Sequence, residues 1–429
     1  MKLLLHLRRY RLPLRAAVRT AHGVLTEREG VIVRLEDESG QSGFGEGAPV
    51  PGFGGGSVDE IESALRGLGG ADESSGARRV TGTELDDFCR AAPDRLACAA
   101  VALESARAGL AERGGGGVPA LPSRATSENR SQVNDLAYRD GVPALTHRAT
   151  VEVWPVAALL PAGKAALPRL GPLGDAGFRT FKWKVGVAAA EEELPLLDDL
   201  CAELPKGARV RLDANGAWDR RTAERWLQRC AERPVEYVEQ PCADGAWAGA
   251  SGRARAEDLL RGLAEDFPTP IALDESLVGG GDVDRWLAAE WRGVWVIKPG
   301  LLAHTETVLT RLARARADVV FSSALETAVG ARAALRLAFA WAATQPGAQR
   351  STSNIQPSTS KGQAAGETSA EAKPKTQNAQ PETLVPRALG FGVWPLFQEA
   401  RFDGPYLTPF LRAEDVERID LEAVWNALS

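Results

Sequence analysis

Two lysines separated by a single tryptophan, Lys182 and Lys184, lie in the stretch 178–185. In an extended chain they share one side with Thr180, while Phe181, Trp183 and Val185 share the other. Burying the apolar side would hold two ammonium groups close together on the polar side. Alone, such a stretch reads equally well as a half-exposed strand with solvated lysines, so its meaning depends on what the chain brings beside it. Four more charged residues end short apolar runs: Asp213 after Val210-Arg211-Leu212, Glu239 after Tyr237-Val238, Asp274 after Ile271-Ala272-Leu273, and Lys298 after Trp295-Val296-Ile297. They follow one another at 26, 35 and 24 residues, each room for one strand–helix unit. Three carboxylates gathered without a counter-charge would repel one another and take up protons. A hard divalent cation resolves that conflict, and ligands that are all oxygen favour magnesium over zinc or copper.

The elements that would gather these groups alternate regularly. Strands are predicted over 151–158, 178–185, 209–213, 237–239, 271–274, 293–298 and 319–322, with helices over 191–204, 221–232, 254–265, 283–291, 306–317 and 330–343. Seven strands alternating with helices through short connections predict a parallel α/β barrel, with an eighth strand at 387–391. The charged residues then stand at the C-terminal strand ends, the face on which barrel sites are built. No glycine-rich dinucleotide fingerprint follows the first strand, which argues against an open doubly wound sheet.

The rest of the chain divides around that barrel. Residues 3–20 read as two short strands broken at Pro13, followed by strands at 31–36 and 41–47, a mobile Gly/Pro-rich loop at 47–56, and helices at 58–68 and 94–112. The expected layout is an α+β domain at 1–112, an insertion or loop at 113–150, the barrel at 151–391, and a C-terminal tail at 392–429. Within the barrel, no aromatic residue occurs between Trp341 and Phe391, and Ser, Thr, Gln and Pro dominate. The stretch 344–386 is therefore expected to be a disordered insertion.

Composition narrows the partners. A net charge of -6 with acids and bases intermixed gives no basic stripe for nucleic acid and no polybasic membrane patch, so a small-molecule substrate is the expectation, with no obligate protein partner evident. Five cysteines without a CxxC pair read as reduced, packed thiols, and four histidines leave little material for a zinc site or a histidine triad. The N-terminus is basic, with no acid before Glu27, and has the flavour of a transit segment. Leu3-Leu4-Leu5 is nevertheless too short for a secretory signal, and the expected location is cytoplasmic.

The motifs Lys182-Trp183-Lys184, Leu212-Asp213-Ala214-Asn215, Glu239-Gln240-Pro241, Leu273-Asp274-Glu275-Ser276, Ile297-Lys298-Pro299 and Ser322-Ser323-Ala324-Leu325-Glu326-Thr327 together resemble the enolase superfamily. Within it they are most similar to the o-succinylbenzoate synthases of menaquinone and phylloquinone biosynthesis. The resemblance covers the chain apart from 113–150 and 344–386. It implies a (β/α)7β TIM-like barrel, with the N-terminal module and C-terminal tail forming an α+β capping domain whose loops at 20–23 and 47–56 close over the substrate. By the same likeness Asp213, Glu239 and Asp274 match the magnesium ligands. Lys184 and Lys298 match catalytic lysines on opposite faces of a small carboxylate substrate, and Lys182 is the first lysine of the KxK pair. Ser322, Ser323 and Gly390 match substrate contacts, although Leu389-Gly390-Phe391-Gly392 fits the family's glycine-rich loop only loosely.

The implied reaction is a magnesium-dependent dehydration of 2-succinyl-6-hydroxy-2,4-cyclohexadiene-1-carboxylate to 2-succinylbenzoate. Lys184 would remove the α-proton and Lys298 would act as a cation over the ring. A lysine near its ordinary pKa of about 10.4 is a poor base, so burial and the neighbouring charges of Lys182 and the metal are expected to depress it. The same residues would serve an N-succinylamino acid racemase, a dipeptide epimerase or a muconate cycloisomerase.

Overall fold

The computed structural model describes residues 2–20, 23–51, 53, 55–113, 153–243, 249–344 and 387–428. The stretches expected to be an insertion and a disordered segment lie outside these residues, except at their flanking positions. Among the described residues no helix is long and apolar enough to cross a membrane.

The N-terminal sheet is antiparallel, in the order β3-β2-β1-β5-β4, built from β1 (Lys2–Thr20), β2 (Gly23–Asp37), β3 (Ser42–Gly47), β4 (Gly70–Ala71) and β5 (Arg78–Thr81). Where the sequence predicts two strands broken at Pro13, the chain runs on as one, and the irregularity appears as a register shift between Pro13 and Val18. The physical reason is that Leu14 and its neighbours pair on their other side with the C-terminal segment: Arg15 N–H donates to Leu396 O at 2.8 Å, and Gln398 N–H to Pro13 O at 3.1 Å. Helices α1 (Val58–Arg66), α2 (Gly82–Ala91) and α3 (Ala97–Arg113) pack on this sheet. Ser57 with Glu60, and Thr81 with Glu84, form reciprocal capping boxes that start α1 and α2. The α3 contact is close because β3 is glycine-rich: a Cβ at Gly43 or Gly45 would lie 1.9 Å from a carbonyl oxygen of α3.

The second sheet is parallel, in the order β12-β11-β10-β9-β8-β7-β6-β13. Its strands are β6 (Val153–Leu160), β7 (Thr180–Lys184), β8 (Arg209–Asp213), β9 (Val235–Glu239), β10 (Ile271–Leu273), β11 (Val294–Ile297), β12 (Asp318–Phe321) and β13 (Leu389–Gly392). A parallel bridge between Ser322 and Gly390 joins the two ends, closing the sheet into a barrel. Helices α4 (Leu167–Asp175), α5 (Ala190–Glu203), α6 (Arg220–Cys230), α7 (Gly249–Asp266), α8 (Gly280–Ala288), α9 (Thr305–Arg314) and α10 (Ala328–Thr344) follow the first seven strands, giving the (β/α)7β barrel. The α4 helix escapes a sequence reading because Pro172 and two glycines break its pattern. After β13, β14 (Phe410–Arg412) pairs antiparallel with β6, and α11 (Ala413–Glu417) and α12 (Leu421–Asn426) return to the N-terminal sheet, where Trp425 lies under the Arg8 guanidinium and beside Phe44.

Strand β7 shows how the sequence pattern places the lysines. Phe181 and Trp183 are fully buried and point out to the helices, where Trp183 meets Trp226 of α6 and Trp226 stacks on Trp218 at 4.9 Å. Truncating a core aromatic of this kind costs about 3–5 kcal/mol, enough to fix which way the strand faces. Lys182 and Lys184 are thereby turned into the barrel. On the opposite, N-terminal side, a fully buried Arg211 donates to Glu236 at 2.7 Å and to Ala388 O at 2.8 Å, tying β8 and β9 to the segment that enters β13.

Candidate active site

One rung of the barrel carries three of the charged residues. Lys184 is the register partner of Asp213, and Asp213 of Glu239. Asp274 directly follows β10 and Lys298 directly follows β11, so both stand at the same mouth. The Lys182 ammonium lies 2.7 Å from Glu239 Oε1 and 2.9 Å from Asp213 Oδ2. Lys184 Nζ donates to Asp213 Oδ2 at 2.6 Å and to Asn215 Oδ1 at 2.8 Å, and Lys298 Nζ donates to Asp274 Oδ2 at 2.5 Å. The structure thus brings all six residues together in one volume.

Burial and mutual charge govern this volume. Asp213 and Glu239 are fully buried and Asp274 is 4% exposed. Burial alone would raise Asp213, but the Lys182 and Lys184 ammoniums hold its carboxyl well below the ordinary range. Glu239 goes the other way: burial and the Asp213 charge push it up to about 8. Burial also raises Asp274 and Glu275. Lys182 would be lowered by burial, yet Asp213, Glu239 and Asp274 hold it well above the usual lysine value.

The residues following each acid, part of the motifs but with no role evident from sequence, set its orientation. Asn215 and Gln240 both adopt left-handed backbone conformations, φ 46° and 40°, turning the chain sharply beyond the strand ends. Asn215 Nδ2 donates to Glu275 Oε1 at 2.9 Å, so the Lys184 partner is itself held from the next-but-one strand. Gln240 accepts from the backbone N–H of both Asp274 and Ser276 at 3.1 Å and donates to Ser276 Oγ at 2.9 Å, fixing the Asp274 loop. Glu193, also buried, gathers the N–H groups of Gly186, Val187 and Ala188 beyond Lys184. The signal available was adjacency to the charged strand ends.

Ser322, Ser323 and Gly390 meet at the barrel closure. Ser323 N–H donates to Gly390 O at 3.1 Å, and a Cβ at Gly390 would lie 2.7 Å from Ser322 Oγ. The Ser323 hydroxyl donates to Glu326 at 3.0 Å. From the N-terminal domain, Phe53 places its ring 3.9 Å from Lys298 Nζ, covering that ammonium from the loop at 47–56.

The donor set can be tested against a divalent cation. Among the described residues no three acidic, imidazole or thiol side chains stand gathered as a ready cage, because the lysine ammoniums lie between the carboxylates. The chemistry nevertheless fits. Four buried carboxyl groups, Asp213, Glu239, Asp274 and Glu275, stand among three lysines, so acidic oxygens outnumber the cations beside them. Glu239 Oε2 and Glu275 Oε2 are buried with no hydrogen-bond partner. Such oxygens suit a hard cation.

Comparison with known proteins bears on the family and the fold. Residues 172–396 match the family described as Enolase C-terminal domain-like, and residues 3–71 match the family described as MenC, N-terminal domain. The chain is 36% identical over 337 residues to an o-succinylbenzoate synthase of Thermosynechococcus vestitus, covering 77% of this chain and 87% of that one. It is 29% identical over 349 residues to one from Yersinia pseudotuberculosis, covering 79% and 87%. The solved o-succinylbenzoate synthase of Thermosynechococcus elongatus, described as complexed with magnesium in its active site, superposes with a TM-score of 0.60 at 34% identity, over 79% of this chain and 90% of that one. The L-Ala-D/L-Glu epimerase of Bacillus subtilis, at 21% identity and TM-score 0.60 over 80% and 86%, shares the fold.

Proposed function

The chain belongs to the o-succinylbenzoate synthase family of the enolase superfamily, and on that premise we propose that it dehydrates 2-succinyl-6-hydroxy-2,4-cyclohexadiene-1-carboxylate to 2-succinylbenzoate, with Lys184 as the base. The observation that carries the assignment of Lys184 is its place at the last position of β7, at the barrel mouth, with Lys182 two residues deeper in the strand. A neutral lysine amine has two N–H groups and one lone pair. Asp213 and Asn215 accept two N–H bonds from Lys184, at 2.6 and 2.8 Å, which leaves the lone pair for the substrate.

Lys184 Nζ takes the proton from the carbon bearing the carboxylate, and the C–H electron pair passes into that carboxylate as an enediolate. The pair then returns to form the ring double bond as the C–O bond to the neighbouring hydroxyl breaks. Lys184 gives its proton to the departing oxygen, so water leaves, the ring becomes aromatic, and the amine is restored. Lys298, held by Asp274 and covered by Phe53, stays a cation against the ring face and its developing negative charge. Lys182, held between Asp213 and Glu239, lies between those two carboxyl groups and offsets part of their mutual repulsion. Asp213, Glu239 and Asp274 would hold magnesium, which supplies fixed positive charge for the substrate carboxylate. Ser322, Ser323 and Gly390 line the substrate side at the barrel closure.

Incubating the purified protein with the cyclohexadiene acid and following product by proton NMR tests the proposal. Aromatic 2-succinylbenzoate signals must replace the diene signals, with one water lost per turnover. Persistence of the diene with excess magnesium present contradicts it.

A further inference from the structure

The loop after β12 is held from two sides. The barrel fixes its first residues, with Ser322 N–H donating to Ile297 O at 2.9 Å and Ser323 N–H to Gly390 O at 3.1 Å. Beyond them, two buried charged residues of the N-terminal sheet reach backbone groups between 324 and 330. Arg28 on β2, 1% exposed, spends its guanidinium on four carbonyls: Leu325 O at 3.0 Å and Ala324 O at 3.2 Å in the barrel loop, and Pro49 O at 2.7 Å and Ala48 O at 2.9 Å at the start of the capping loop. Glu46 on β3, 3% exposed, accepts from Thr327 N–H at 3.0 and 3.1 Å, from the Thr327 hydroxyl, and from Gly330 N–H at 2.9 Å. It thereby caps the start of α10 from another domain.

Two further features show that this arrangement is built for closeness. Leu325 sits at φ 60°, a conformation that a branched side chain disfavours and that its surroundings must enforce. At Gly330 a Cβ would lie 3.0 Å from Glu46 Oε2 and 2.8 Å from Glu326 Cβ, so the carboxylate reaches the helix because no side chain intervenes. Tyr10 completes the set, its hydroxyl donating to Glu46 Oε1 at 2.5 Å.

We propose that Arg28 and Glu46 are positioning residues for the dehydration: as an interdomain clamp, they set the loop 322–327 against the capping loop in the one arrangement that binds the substrate. This rests on the reading that the loop lies on the substrate side. Arg28 holds both walls at once, and the loop's anchor at Ile297 precedes Lys298 directly. Releasing the clamp loosens the wall without altering the lysines or the acids. Because the contact is made equally in the bound and reacting states, its loss falls on KM rather than on kcat.

The test measures KM and kcat for the cyclohexadiene acid with saturating magnesium in Glu46→Gln, Arg28→Lys and Ser323→Ala, each checked by circular dichroism. The expected result is a KM raised about tenfold or more in the first two, with kcat within about threefold of the parent. If Ser323→Ala raises KM while Glu46→Gln and Arg28→Lys leave it within about twofold, the clamp is overturned and the substrate-side reading stands. If none of the three moves KM, both fall. Should the clamp variants not fold, Tyr10→Phe removes one donor to Glu46 and keeps the ring. A KM rise of about two- to fivefold in that variant supports the clamp, and an unchanged KM overturns it.

Discussion

Lys184 and Asp213 are register partners on adjacent parallel strands, and their side chains meet at 2.6 Å. The contact joins the proposed base to a proposed metal ligand, so the geometry of one constrains the other. Asn215, two residues past Asp213, gives Lys184 Nζ its second acceptor. Lys298 has a different environment, one carboxylate at 2.5 Å and an aromatic face at 3.9 Å. The two lysines should therefore separate by role.

Lys184→Ala is expected to remove both dehydration and exchange of the substrate α-proton with deuterated water, a loss on the order of 10²–10⁴-fold or greater. Lys298→Arg keeps the charge but changes its shape, and should slow dehydration while leaving measurable turnover. Proton NMR in deuterated water reads both. In a two-base racemase each single lysine variant would still exchange one enantiomer of an N-succinyl amino acid, and that pattern would overturn the one-base account.

Asp213→Asn, Glu239→Gln and Asp274→Asn should each abolish turnover and weaken magnesium binding measured by titration calorimetry, with the circular dichroism spectrum unchanged. Each substitution keeps the side-chain volume and replaces one acidic oxygen ligand with a neutral amide. Full activity in any of the three after treatment with EDTA would exclude a three-carboxylate metal site.

Much of this site was legible in the sequence because a parallel barrel puts strand ends on one face. Asp213, Glu239, Asp274 and Lys298 each end or directly follow an apolar run, and the alternation of Phe181 and Trp183 with Lys182 and Lys184 told which way β7 faces. What sequence could not give were contacts between distant residues. Glu46 meets Thr327 across 281 positions and Arg28 meets Leu325 across 297, with no periodicity to announce either. The continuity of β1 past Pro13 likewise depends on a C-terminal segment nearly 400 residues away. Helix α2 lies in a polar stretch whose one sequence signal is the capping box of Thr81 and Glu84.

Glu326 gives a pH dependence of stability. Burial pushes its carboxyl up to about 7 in the folded chain, against an ordinary value of 4.5. The protonated form favours the fold, so the stability it contributes is complete below about pH 4.5 and is lost as pH rises through 7, a change on the order of 3 kcal/mol. Glu326→Gln keeps an acceptor for the Ser323 hydroxyl and the Ala324 N–H. Thermal unfolding from pH 5 to 8 should show the parent losing stability relative to the variant, with the gap widest at pH 8. Parallel curves would contradict the assignment.

The most direct measurement of the central claim is a side-by-side assay of the purified protein on the cyclohexadiene acid and on both enantiomers of an N-succinyl amino acid, each with magnesium and with EDTA. The account predicts rapid formation of 2-succinylbenzoate that EDTA abolishes and added magnesium restores, with α-proton exchange of the amino acids far slower. Exchange of both enantiomers at rates matching or exceeding dehydration, or dehydration that EDTA leaves untouched, would contradict it.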